Sequence, residues 1–436
     1  MKRVFPALVV LGLISTTVFA GGSQEKAGGA ATSGKIGGSV DVLATWGGSE
    51  QDIFNAMVKP FTDRTGVAIN YTGTRDLDAI LTTRVAAGNP PELSGLPNPG
   101  SMAGFARQGK LTDLSTVLDT SAMKSAYAQS WLDLGSVDGK LVGIFTKASL
   151  KGLVWYDPKT IQAAGLQIPT TFDQLMSESQ TIAAKGVTPW AIGVESGSAS
   201  GWVGTDWLES IFLHMYGPAT YMAWYQGKLP WTSPEVKSVW QTWGNIVSDP
   251  SMVYGGSQYV MSTNFNTAFS PLFQTPPQAY FHFQATFIQS FIQQQFPNLK
   301  PVEDFNFFGF PSIAAQYAKA VEIAGDLFGM FKKTPQSSAL LTYLTTAEAQ
   351  DYWVKAADGI SPNRSVPLSD YPDPLSKNAA QILTSADIAV FDASDMMPAK
   401  MNNAFWTAIM NYLAHPDQLD SILAGLEQVR KDAYSM

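Results

Sequence analysis

The sequence contains no cysteine and only three histidines among 436 residues. Without thiols, disulfides, thiolate metal sites and thiol redox chemistry are all excluded, and stability has to come from burial, which a chain of this length can supply. His214, His282 and His415 are too widely scattered for an HExxH metal motif, and no Walker loop, GxGxxG or GxSxG signature is present. Charge is also scarce, at 15% of residues, and its balance is acidic, with a formal net charge of -8. That balance disfavours nucleic acid and anionic membrane surfaces as partners. No cofactor and no metal site are expected.

Long apolar runs are missing too, with one exception at the start. Lys2 and Arg3 precede a mostly apolar stretch from Val4 to Phe19, shorter than the roughly 20 residues that span a bilayer. This predicts a signal peptide over 1–20, cleaved after Ala20, and hence an exported, periplasmic protein. No Cys follows the apolar run, so a lipid anchor is not expected. Removing Lys2 and Arg3 takes the net charge from -8 to -10. Residues 21–38, GGSQEKAGGAATSGKIGG, have no apolar periodicity and read as a flexible linker.

What the chain does have is aromatic surface: twelve Trp and fifteen Tyr, with aromatics at 12%. Most must be core, yet flat apolar faces with a polar edge are also what a sugar site uses. The body beyond the linker exceeds what one hydrophobic core usually supports, so two domains are expected.

Ser39 to Ala44 alternates apolar with polar and ends in Trp46-Gly-Gly, a strand emptying into a loop. Ser49 with Asp52 reads as a capping box, and Ile53, Met57, Val58 and Phe61 line one helix face before Gly66 stops it. Val67 to Thr72 reads as a strand and Asp76 to Ala87 as a helix. The alternation predicts a parallel α/β sheet, whose ligand crevice lies beyond the carboxyl ends of the strands. The loops Trp46-Gly47-Gly48 and Gly73-Thr74-Arg75-Asp76 therefore become site candidates. Farther on, Thr171 with Gln174 and Thr345 with Glu348 read as capping boxes, Gly152 to Tyr156 and Val321 to Ala324 as strands, and Trp202 to Trp243 as helix broken at Gly217-Pro218.

Several short motifs then occur in a telling order: Phe61-Thr-Asp-Arg-Thr-Gly66, Gly88-Asn-Pro-Pro-Glu92, Gly109-Lys-Leu-Thr-Asp-Leu114, Asp138-Gly-Lys-Leu-Val-Gly143, Leu153-Val-Trp-Tyr156, Pro-Thr-Thr-Phe172 and Gly186-Val-Thr-Pro-Trp190. On these the chain resembles the family 1 extracellular solute-binding proteins, the periplasmic components of sugar ABC transporters. Pro276-Pro, Gln284-Ala-Thr-Phe287 and Phe391-Asp-Ala-Ser-Asp-Met-Met-Pro398 resemble the α-glucoside-binding branch. Two departures stand out: Glu92 where the family commonly has Asp, and no Cys at the processing site.

The resemblance implies a two-lobed periplasmic binding protein fold, class II-like, with each lobe a mainly parallel sheet flanked by helices and the ligand cleft at the hinge. Lobe 1 is expected over 39–148 plus 322–360 and lobe 2 over 149–321 plus 361–436, with crossovers near Ser149, Ile323 and Gly359. It also implies a carbohydrate ligand, an inner-membrane ABC permease as partner, and a monomer that closes on its ligand.

A pyranose presents an apolar C–H face and a rim of hydroxyls, so its site needs aromatic platforms and groups that donate and accept hydrogen bonds. The platform candidates are Trp46, at the end of a strand, and Trp202 and Trp207, which flank Asp206. As acceptors, ionised carboxylates make the stronger hydrogen bonds, and Glu50, Asp206 and Asp326 are the choices. Gly325, beside Asp326, would let ligand approach the backbone. Arg75, Lys147 and Arg364 are the donors near crevice and crossovers. Asp392 and Asp395 could face the cleft, although capping of the following helix is the plainer reading. Two alternatives remain: a periplasmic glycoside hydrolase using two of these carboxylates, and a binding protein for another solute, such as a polyamine or ferric ion, the latter with Tyr254 and Tyr259.

Overall fold

The computed structural model describes residues 35–386 and 388–435. The expected signal peptide and the linker up to residue 34 lie outside the described residues.

The first strands follow the sequence pattern closely. β1 (Ser39–Ala44), β2 (Ala68–Gly73) and β3 (Leu93–Leu96) alternate with the helices Ser49–Thr65 and Leu77–Ala86, which bury Phe54, Met57, Val58 and Phe61 and then Leu77, Leu81 and Val85. Gly66 ends the first helix in the left-handed conformation, its N–H returning to the Thr62 carbonyl. A small hairpin, β4 (Ser136–Val137) and β5 (Lys140–Leu141), precedes β6 (Gly143–Leu150) and β7 (Leu153–Tyr156). β8 (Trp190–Ala191), β9 (Phe281–Gln284), β10 (Asn306–Gly309), β11 (Ala320–Met330) and β12 (Ile388–Phe391) complete the strands among the described residues.

Two main sheets result. The first has the order β12-β11-β3-β1-β2, and β6 pairs with β11 off that path. β1 pairs in parallel with β2 and β3, as does β11 with β12, whereas β11 meets β3 and β6 antiparallel. The second sheet, β10-β7-β9-β8, corrects the expectation of parallel pairing in both lobes: only β8 with β9 is parallel, and the β7–β9 and β7–β10 pairs are antiparallel. Its strands are gathered from distant segments rather than from successive strand–helix–strand units, so the rule that makes consecutive strands parallel has no purchase here.

β6 and β11 form a long antiparallel ribbon that carries the chain between the sheets, with a register shift between Asp326 and Leu327. One hydrophobic core surrounds the first sheet and continues through Trp155 and Phe307 onto one face of the second. The other core lies on the opposite face, with Val154, Phe283 and Trp207, as strand alternation requires.

Two local expectations differ. The first helix is capped at Gly48, whose φ of 58° suits glycine, so Ser49 is already helical and makes no cap. The cap near residue 345 is Thr346, because Thr345 closes the preceding helix and its hydroxyl bonds back to Thr342. Val366, Leu375, Ala380 and Phe391 pack in the first core, and Val390, Ala393, Met397 and Phe405 in the second. Gly359 and Pro362 follow the end of the helix Ala347–Lys355. The capping box of Thr171 and Gln174 is present, and Gly217 kinks the helix Trp202–Tyr225 where Gly-Pro was read as a break.

Candidate functional site

A cavity of about 530 Å³ opens between the two sheets. Thr45, Arg75 and Asn98, the residues just beyond the carboxyl ends of β1, β2 and β3, form one wall, which is where an open α/β sheet places its ligand. The opposite wall comes from the helices Trp202–Tyr225 and Ala399–Ala414, with Trp202, Asp206 and Trp406. The β6–β11 ribbon is the floor. Because side chains alternate along a strand, Lys147 and Ser149 of β6 and Ala324 and Asp326 of β11 share the face that lines the cavity, joined by Lys151 just past β6.

At one end of the floor Lys147 Nζ lies 2.8 Å from Glu50 Oε1 and also pairs with Asp358. Glu50 Oε2 accepts from Arg75 at 2.7 Å, and the same guanidinium donates to Thr45 Oγ1 at 3.1 Å. Burial pushes the Glu50 carboxyl up, but Lys147 and Arg75 outweigh it and hold the group below its ordinary value. Burial opposes the charge on Lys147 as well, yet Asp358 and Glu50 keep it firmly protonated. Burial raises Asp326, with Lys147 offsetting only part of the effect.

At the other end Lys151 Nζ bridges Asp206 Oδ2 at 2.7 Å and Asp392 Oδ2 at 2.9 Å. Asp392 also accepts from Ser394 Oγ and from the Asp395 N–H. Burial pushes the Asp392 carboxyl up, but Lys151, with the Asp395 N–H and Glu209, outweighs it and holds the group below its ordinary value. Asp206 has fewer partners; burial and the charge of Asp392 push it up to about 7. Its Oδ1 is buried without a hydrogen-bond partner. Asp206, Asp392 and Glu322 have carboxylate oxygens within 4.8 Å of one another, a spacing that could suit a metal ion, but the protein's own Lys151 ammonium already serves as the cation there.

Of the ten site residues expected from sequence, Glu50, Arg75, Lys147, Trp202, Asp206, Gly325 and Asp326 line this one cavity. Three do not. Trp46 is 1% exposed and packs against Trp353, Phe54 and Phe328; its indole N–H donates to Asp326 Oδ2 at 3.0 Å, so it supports the wall from behind. Trp207 is fully buried, stacked on Phe283 with ring centroids 4.3 Å apart; it lies one residue from Asp206 on a helix and so on another face. Arg364 is exposed, outside the cavity lining. Gly325 lines the cavity, although the space its missing Cβ leaves is filled by the Lys147 carbonyl and the Phe145 ring, so strand packing, rather than ligand approach, requires glycine there.

Trp406, Phe265, Phe287, Asp78 and Ser196 also line the cavity; Phe287 ends the Gln284-Ala-Thr-Phe287 motif, and the others, from separate segments, were not singled out as site residues. Lys151 did carry a sequence signal: it lies four residues after Lys147, the interval that keeps two side chains on one face of an extended chain. Asp392 and Asp395 both line the cavity; Asp392 caps the short helix Ala393–Met396, whereas the helix Ala399–Ala414 that carries Phe405 and Trp406 has no side-chain cap. Gly201 is required where it stands: its φ is 109° and a Cβ would meet the Trp406 carbonyl at 2.4 Å, so glycine lets Trp202 and Trp406 converge. The Tyr254–Tyr259 pair lies apart from the cavity lining.

A cleft at strand ends between two sheets, built of acceptors, donors and rings, defines a solute-capturing protein. The chain belongs to the bacterial extracellular solute-binding protein family, whose profile matches residues 47–351. It is similar to the osmoprotective compounds-binding protein GgtB of Synechocystis sp., at 37% identity over 87% of this chain and 89% of that one. It also resembles the alpha-glucosides-binding periplasmic protein AglE of Rhizobium meliloti, at 33% identity over 90% of this chain and 87% of the relative. Among solved structures, a chitin oligosaccharide binding protein superposes with a TM-score of 0.79 at 19% identity, covering 91% of this chain and 99% of the other. The structure of RafE with raffinose gives 0.73 at 17% identity, covering 91% and 100%. At these identities the likeness is one of fold. No helix among the described residues is long and apolar enough to cross a membrane.

Proposed function

We propose that this protein is the periplasmic ligand-capturing component of a sugar ABC importer, binding a neutral carbohydrate such as an α-glucoside or oligosaccharide and presenting it to a membrane permease, without catalysing chemistry. The observation that carries this reading is the division of labour in the cavity. Its three cations, Arg75, Lys147 and Lys151, are each bonded to carboxylates, so none is left to pair with an anionic ligand. Uncommitted hydrogen-bonding atoms are left: the indole N–H of Trp406, the Ser196 hydroxyl and Asp206 Oδ1 are buried without partners. Two tryptophans supply apolar faces, and a carboxyl near neutrality can donate or accept. That set matches hydroxyls on an apolar ring. The names of GgtB and AglE support an osmoprotective compound or an α-glucoside as cargo.

Thermal-shift and calorimetric titration against α-glucosides, other oligosaccharides, spermidine and ferric ion tests the proposal. A sugar at about 100 times its dissociation constant should stabilise the fold by roughly 2.7 kcal/mol. Stabilisation by spermidine or iron alone would refute the carbohydrate reading. Aryl α-glucosides should release no phenol; release would make the cavity a hydrolase site.

A further inference from the structure

Beside the main cavity lies a second hollow of about 590 Å³, and the two share Arg75 and Phe265 in their linings. It is bounded by the loop Gly47-Gly48-Ser49 on one side and by Asn266, Gln294 and Gln295 on the other. Its floor is aromatic, with Phe265 and Phe291 edge-to-face and both buried. Its rim is amide and hydroxyl. The side chains of Asn266 and Gln294 make no hydrogen bond among the described residues, and Ser49 Oγ is buried without a partner. No side chain caps the helix that begins at Ser49, so its first N–H groups add donors. Asp52 at the same rim argues against an anion. An apolar floor beneath uncharged donors and acceptors is the pattern by which the main cavity suits a sugar ring.

We infer that this groove extends the ligand cleft and receives a further saccharide unit, with Arg75 at the junction. The inference rests on the carbohydrate reading above. Arg75 is held in place by Glu50 and Thr45 and lies over the Phe265 ring at 4.9 Å. Both the guanidinium and the ring it covers therefore touch the two hollows at once. A guanidinium carries five N–H donors, and two are spent on Glu50 and Thr45, which leaves donors for hydroxyls where one unit joins the next. A ligand that reaches past this pair contacts a rim already in place, so little ordering of the protein opposes the added contacts.

The test is calorimetry with two saccharide series, maltose to maltotriose and maltotetraose, and sucrose to raffinose and stachyose. In the native protein, at least one longer member should bind about tenfold more tightly than its disaccharide. Asn266→Trp, which fills the groove from a partly exposed position, should abolish that gain and leave the disaccharide affinity within about twofold. Gln294→Ala, at an exposed side chain, should cut the gain about threefold without disturbing the fold, and so carries the test if the tryptophan variant misfolds. Longer saccharides that bind no better than the disaccharide, or variants that weaken short and long ligands alike, would overturn the extension while leaving the carbohydrate reading intact. Failure of every saccharide to bind the native protein would instead remove that reading, and this inference with it.

Discussion

Lys147 and Lys151 stand four residues apart on the cavity floor, each fully buried and each bonded to two carboxylates, yet their surroundings differ in charge balance. Around Lys147 the acids are Glu50, Asp358 and Asp326, and Arg75 adds a second cation on Glu50. Around Lys151 the acids are Asp206, Asp392, Asp395 and Glu322, with no second cation among the groups acting on it. The consequence shows in the protons. Each end keeps one carboxyl below its ordinary value, Glu50 and Asp392, and burial raises Asp326 and Asp358 at the first end, whereas burial and mutual repulsion raise Asp395 and Glu322 well above the ordinary carboxylate range at the second. With two cations on Glu50, the first end holds its geometry through charge. The second has more raised carboxyls, and those that hold a proton can present either a donor or an acceptor.

If that contrast is right, removing the two lysines has unequal effects. Lys151→Met leaves several buried acids with no cation and should destabilise the fold by about 3–5 kcal/mol. Lys147→Met should have an effect at least about 1 kcal/mol smaller, because Arg75 remains on Glu50. Denaturant midpoints at constant m-value read the difference; equal losses would mean that the charge count is not what distinguishes the two ends.

Asp206 and Glu50 also differ in the sign of their pH dependence. Asp206 is raised to about 7 when folded against 3.8 as a free side chain, so the folded state holds the extra proton and stability falls as pH rises from about 4 to 7. Glu50 is lowered, so its contribution is present above about pH 4.5 and is lost as pH falls through its folded value. His282, pushed down to about 4 by burial, adds stability as pH rises from about 4 to 6.5. Asp206→Asn should therefore reduce the downward slope by on the order of 1 kcal/mol per pH unit, the raised Asp395 and Glu322 keeping the rest of it. Unchanged curves would place the proton elsewhere in the Lys151 group.

The sequence made the Lys147 end of the cleft far more legible than the Lys151 end. Glu50, Arg75 and Asp326 could be found because they follow strand ends or lie on a strand that returns to the first sheet, and the strand-end rule says where those point. Trp46 obeyed the same rule, but its position at a strand end does not reveal that its indole turns inward to Asp326. The Lys151 end is assembled from Asp206, Asp392 and Trp406, parts separated by up to 200 residues of chain, and no local pattern announces such a meeting. The same division holds for the fold. Alternation gave β1, β2 and their helices, while the antiparallel pairing of the second sheet depends on which distant segments arrive beside β7.

Trp202 and Trp207 sharpen the contrast between lining and support on one helix. Trp202 lines the cavity, with Lys151 Nζ 5.0 Å from its ring centre, so Trp202→Ala should weaken sugar binding about tenfold to a hundredfold, or roughly 1.4–2.8 kcal/mol. Trp207→Phe should destabilise the fold by about 1–3 kcal/mol and leave affinity within about twofold, since its ring meets Trp190 and Phe283 rather than the cavity.

The smallest effect is expected where the resemblance suggested a donor and the fold places none. Arg75 and Arg364 were both expected at the cleft. Arg75 reaches it because the turn after β2 brings its guanidinium onto Glu50 and Thr45. Arg364 is tied to the body through its backbone, whose N–H donates to the Ala126 carbonyl at 2.8 Å, while its side chain stays exposed. A main-chain anchor survives truncation of the side chain, so Arg364→Ala should change stability by less than about 0.5 kcal/mol and leave sugar affinity unaltered in titration. Arg75→Ala should weaken binding of the same sugar clearly, because Glu50 would lose one of its two cations; comparable losses from both variants would put Arg364 back in the cleft.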